Sequence, residues 1–152
     1  MKPRLNPYNH DAIKPMIEME KSAVSSGLEM SLIELVKMRA SQINGCAFCL
    51  DMHSKDARKR GETEQRLYLL DAWRESPLYS ERERAALAWT EVLTLIAKTH
   101  APDNVYEELK TQFSEEEIVK LSMLIVTING WNRLAIGFRS VHPVSKDSAA
   151  AA

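Results

Sequence analysis

Twice in this chain a helix-start signal stands directly ahead of a long apolar run, and that repetition constrains the fold more than any other feature. Ser80 with Glu83, and Ser114 with Glu117, have capping-box spacing, in which the serine side chain accepts from the backbone three residues on and the glutamate reaches back. Behind the first box, Ala85, Leu87, Ala88, Trp89, Val92, Leu93 and Ile96 make a helix apolar on most faces, expected to be central. Behind the second, a helix is expected to about Ser140, with Phe113 and Ile118 placed as a hydrophobic staple. Five Gly and six Pro in 152 residues are too few for a turn-rich β-sandwich. The expectation is an all-α fold, with 45% apolar residues to fill one core and one domain over residues 1–144.

The remaining pattern extends the helical reading. Residues 8–26 form a first helix with an irregular opening at Pro15 and a stop at Gly27, and 31–43 a second, interrupted by Asn44-Gly45. A third covers 46–60, a short fourth 63–73, and another restarts after Pro102 and ends near Gln112. Residues 145–152, ending in alanines, read as a disordered or vector-derived tail. A weak internal echo matches Ile33–Gly45 with Ile118–Gly130 at Ile33, Met38, Ile43, Asn44 and Gly45; duplication and coincidence both account for it.

Charge narrows the partners. Twenty basic residues against 21 acidic leave a net charge of −1, so no field gathers nucleic acid or an anionic membrane, and neither is expected as a partner. The start lacks the apolar region of a secretory signal and no apolar stretch reaches bilayer length, so a cytoplasmic protein is expected. In that compartment two cysteines are more often catalytic or redox-sensing than a structural staple. The apolar faces of 85–97 and 121–136 exceed what a small domain buries, which predicts a homo-oligomer.

The two cysteines form Cys46-Ala47-Phe48-Cys49, with His53 four residues further on, so that positions 46, 49 and 53 share one helical face. At a first helical turn the free amides and the dipole favour thiolate, and His53 can take or return a proton. Three-residue spacing also permits a disulfide. Two other readings stand beside this one: the cysteines as inert small hydrophobes, or as zinc ligands with His53 and a fourth from His100 or His142. Glu34 lies in the apolar Leu32-Ile33-Glu34-Leu35-Val36, where a carboxylate is partly stripped of water and suited to proton transfer; alternatively it faces solvent or pairs with Lys37 or Arg39.

Glu34, Cys46-x-x-Cys49 and His53 at these spacings resemble the signature of the AhpD-like alkylhydroperoxidases in the carboxymuconolactone decarboxylase family. The blocks Ser41–His53, Trp73–Ser76, Glu81–Trp89 and Asn129–Arg133 extend the similarity across residues 8–141. The resemblance implies an AhpD-like helical bundle in homo-oligomers, trimers or hexamers, with the site beside a subunit interface. It implies Cys49 as the peroxide-attacking thiol, Cys46 as the resolving one, and Glu34 and His53 as the proton relay. No cofactor or metal is implied; the partners would be a hydroperoxide and a dithiol or lipoyl-type reductant. Phe48 departs from the pattern, standing where the best-studied branch has a histidine of the relay. An enzyme, either a thiol peroxidase or a disulfide reductase, is one class consistent with these residues; a noncatalytic thiol-redox sensor or stress-linked binding module is the other. His10, His100 and His142 are expected at the surface, and Trp73, Trp89 and Trp131 in packing.

Overall fold

A computed structural model describes residues 2–144, and the tail at 145–152 lies outside them. Among the described residues the fold is all-helical, with no strand. Eight α-helices follow in order: α1 Lys14–Val24, α2 Met30–Asn44, α3 Ala47–Lys59, α4 Glu64–Leu69, α5 Glu81–Thr94, α6 Ile96–Thr99, α7 Asp103–Gln112 and α8 Glu115–Phe138.

Both capping boxes form, with each serine accepting from the backbone N–H three residues on and each glutamate returning to the serine's own N–H. Phe113 and Ile118 bury in the same apolar cluster, as the staple requires. Boundaries differ from the sequence expectation where proline or side-chain capping intervenes. The expected 8–26 helix opens instead as two 3-10 turns, Pro7–Asn9 and Asp11–Ile13, because Pro7 starts the first turn and α1 places Pro15 in its own first turn, where no N–H is missed. Cys46 is the N-cap of α3 rather than its first helical residue. The fourth helix tightens to a 3-10 turn at Leu70–Ala72, and α8 stops at Phe138 through a left-handed Arg139.

α5 is central as expected, packing against α2, α7 and α8, and it shares that place with α2, which meets α3, α5 and α8. Leu32, Ile33 and Val36 of α2 fill a cluster with α5, α7 and α8, whereas Leu35 and Met38 turn toward α3, α4 and Trp73. Because α2 is covered on both sides, its polar residues inside need partners from other helices. Asn132 donates to Ser41 Oγ at 3.0 Å, and Asn44 donates to the side-chain oxygens of Asn129 and Asn132, both at 2.9 Å. These bonds pin the end of α2 to α8. Asn44 and Asn129 are equivalent positions of the sequence echo, but Gly45 is left-handed at φ 69° while Gly130 continues a helix.

Glu91 fastens the other side of α2. Its Oε1 accepts from Arg39 Nε and Trp73 Nε1, both at 2.8 Å, and its Oε2 from Arg74. Burial pushes this carboxyl up, but the hydrogen bonds from Trp73 and Arg74 and the charge of Arg39 outweigh it and hold the group below the ordinary carboxylate range. A depressed native value means that the network stabilises above the unfolded carboxylate range and that this stability is lost as pH falls through the native value. Glu91→Ala leaves Arg39 and the Trp73 N–H without this acceptor and should cost about 2 kcal/mol in urea unfolding near neutrality. That difference should shrink toward acid; a difference constant with pH would contradict the assignment.

Candidate functional site

The turn between α2 and α3 builds the site. Gly45 adopts φ 69°, a left-handed geometry that closes α2 and that a side chain would strain. The next residue, Cys46, is extended (φ −86°, ψ 90°), and its sulfur accepts from the Cys49 N–H at 3.3 Å, doing the work of a capping oxygen. Cys46 and Cys49 are joined as a disulfide across 5.4 Å between Cα atoms and are 1% and 2% exposed. One turn further, His53 is buried with Nδ1 3.0 Å from Glu34 Oε2. The spacing arguments placed these four residues on two helices; the packing of α3 on α2 brings Glu34 and His53 into contact.

Glu34 is therefore an inward residue, and its partners are not those weighed from spacing. Arg60 Nε lies 3.8 Å from its Oε1, while Lys37 pairs with Glu20 and Arg39 with Glu91 and Asp71. Arg39 leaves α2 on another side from Glu34, toward α5, whereas Lys37, one turn on from Glu34, is taken by Glu20 of α1.

A cavity of about 210 Å³ opens beside the disulfide. α3 supplies Phe48, Cys49, Met52 and His53, α8 supplies Ile128, Trp131, Leu134 and Ala135, α1 supplies Glu20, and Pro7, Tyr8 and Ser140 complete the wall. Tyr8 stacks on Trp131 with ring centroids 5.9 Å apart, and the preceding segment is tied to the end of α8 by Arg4, whose backbone N–H and guanidinium donate to Phe138 O and Gly137 O at 3.0 and 2.9 Å. Those carbonyls are ones the helix end leaves free. Trp131 is thus a cavity wall, whereas Trp73 and Trp89 are buried in packing. Tyr8, Glu20 and Leu134 escaped the sequence reading, which considered Lys37 only as a partner for Glu34. The available signal was Lys37 within the apolar Leu35-Val36-Lys37-Met38, since a lysine buried to 2% requires a carboxylate from elsewhere.

His10 and His100 are exposed and His142 is half-buried. Among the described residues no group of three or more His, Cys, Asp and Glu is placed to hold a metal ion. No described helix is long and apolar enough to cross a membrane.

Residues 11–92, more than half of the chain, match the carboxymuconolactone decarboxylase family. The chain is an AhpD-like member of that family. Within this family company, the uncharacterized protein YdfG of Bacillus subtilis is 48% identical over 126 residues, covering 83% of this chain and 86% of that one. The uncharacterized protein YnjA of Escherichia coli is 30% identical over 115 residues, 76% of this chain and 60% of its own length. A crystal structure from Agrobacterium tumefaciens, of a protein of unknown function described as a candidate antioxidant defence protein AhpD, superposes with a TM-score of 0.92 at 51% identity, covering 95% of this chain and all of that one. The debrominase Bmp8 shares the fold at 20% identity with a TM-score of 0.76 over 94% of this chain and 76% of its own.

Proposed function

We propose that this AhpD-like protein is a thiol-dependent hydroperoxide reductase. The observation that carries the reading is the placement of the Cys46–Cys49 disulfide on the same helix as His53, with His53 hydrogen-bonded to buried Glu34 beside an apolar cavity. In the reduced protein the Cys49 thiolate attacks the terminal oxygen of R–O–O–H; the O–O bond breaks, giving Cys49–S–OH and an alkoxide, which takes a proton from His53 and leaves as R–OH. Glu34 holds the ring through Nδ1, leaving Nε2 for this transfer. Cys46 sulfur then attacks the sulfenic acid, releasing water and forming the disulfide. An external dithiol, of lipoyl type, reduces that bond and becomes a disulfide itself. The cytoplasm, where such donors are kept reduced, is the proposed compartment.

The reading is tested by thiol titration. Reduced protein should lose two thiols per chain on mild peroxide treatment, regain both with a dithiol, and consume cumene hydroperoxide continuously when the dithiol is in excess. Two thiols retained, or stoichiometric zinc in the purified protein, would sink it; a reversible disulfide without turnover would favour a redox sensor.

Residues 1–144 are proposed to act as one domain and to associate. Val119, Met123 and Val126 of α8 are exposed, and exposed Ile96 lines a groove with Val126, apolar surface that association would cover. Light scattering should give a homo-oligomer, a trimer or hexamer, and a mass near 17.2 kDa at micromolar concentration would contradict this.

A further inference from the structure

The cavity beside Cys49 is mostly apolar, but one wall carries a carboxyl group that the proposed relay does not use. Glu20 reaches it from α1, and its Oε1 is paired with Lys37 of α2, whose side chain is 3% exposed. Oε2 is buried and has no hydrogen-bond partner among the described residues. A carboxylate oxygen without a donor is costly, and a buried lysine tied to its neighbour keeps the group from swinging away to water. Glu20 lines the cavity and its terminal torsion is soft, so a donor brought in by a ligand is the partner that Oε2 lacks.

We infer that Glu20 is a specificity-determining residue, accepting a hydrogen bond from the O–H or N–H end of a ligand whose apolar, ring-sized body packs against Phe48, Ile128, Trp131 and Leu134. Lys37 acts through Glu20 as a positioning residue. Resting on the hydroperoxide reading, the ligand is a bulky organic hydroperoxide: the body fills the apolar wall, and the terminal O–H donates to Glu20, which presents that oxygen to the Cys49 sulfur. Hydrogen peroxide has no such body, so it would meet Glu20 without the apolar wall that holds an organic hydroperoxide in place.

Binding can be measured apart from turnover with unreactive analogues. Cumyl alcohol keeps the body and the donor; cumyl methyl ether keeps the body and loses the donor. Tryptophan fluorescence of the intact protein reports occupancy, because Trp131 lines the cavity while Trp73 and Trp89 are buried away from it. The wild type should bind the alcohol about tenfold or more tightly than the ether, the range expected for a hydrogen bond to a charged acceptor. Glu20→Leu with Lys37→Met, which removes both charges while keeping apolar volume, should bind the two equally. Glu20→Gln, with a neutral acceptor, guards against misfolding of the double variant and should show a preference well below the wild type's. No preference in the wild type, a preference kept in the variants, or no binding of either analogue overturns the inference. If the analogues behave as stated but the protein turns over no hydroperoxide, the donor-accepting role stands and the peroxidase reading alone fails.

Discussion

Cys49→Ser should abolish turnover of cumene hydroperoxide and trap almost no sulfenic acid with a dimedone-type probe, whereas Cys46→Ser should lose turnover but trap one sulfenic acid per chain. The expectation rests on placement. Cys49 lines the cavity with His53 one helical turn away, while Cys46 is the N-cap, does not line the cavity, and has its sulfur engaged by the Cys49 N–H. A dipole argument favours Cys46 as the more acidic thiol, since it lies nearer the helix start. Access decides between them, because a thiolate that the substrate cannot reach does not attack. Phe48 also lines the cavity and passes no proton, so Phe48→His should raise turnover if a relay group is lacking. Robust labelling of Cys46 in Cys49→Ser would reverse the assigned roles. An inert Phe48→His would show that Glu34 and His53 suffice.

Helix existence was legible because it is written locally. The boxes at Ser80 and Ser114 depend on residues three apart and the break at Gly45 on one left-handed glycine, and each forms in the structure. Burial of Glu34 was only half legible: its apolar chain neighbours favour an inward carboxylate, but spacing equally allows a solvent-facing one, and the structure takes the buried alternative. What each inward polar residue meets was not legible. Lys37 finds Glu20, Arg39 finds Glu91, and Tyr8 finds Trp131 through the packing of separate elements, and periodicity states which face is covered without naming the cover. The cavity depends on this longer-range information, because its apolar end is made by α8 and by the segment that Arg4 ties across it. Cys46 was one residue misplaced for the opposite reason: a cysteine is not among the usual capping residues, and only the folded turn shows its sulfur in that role.

Glu34→Gln and His53→Ala should each slow peroxide consumption by roughly a hundredfold or more, in line with the usual contribution of a positioned acid or base. Both residues are about 5% exposed, and each is the other's hydrogen-bond partner at 3.0 Å, so their effects should not add. With His53 gone, Glu34 has no ring to orient. With Gln at position 34, the amide can still hold the ring by its oxygen but no longer stabilises an imidazolium. The double variant should therefore be little slower than His53→Ala alone, whereas independent roles would multiply the two losses. Far-UV circular dichroism should show both proteins helical, and peroxide-induced loss of two thiols should persist at a slower rate, because the sulfurs themselves are untouched. Full activity across neutral pH in both variants would mean that the Glu34–His53 contact only packs α3 onto α2. Additive losses would mean that each serves the sulfur by a separate route.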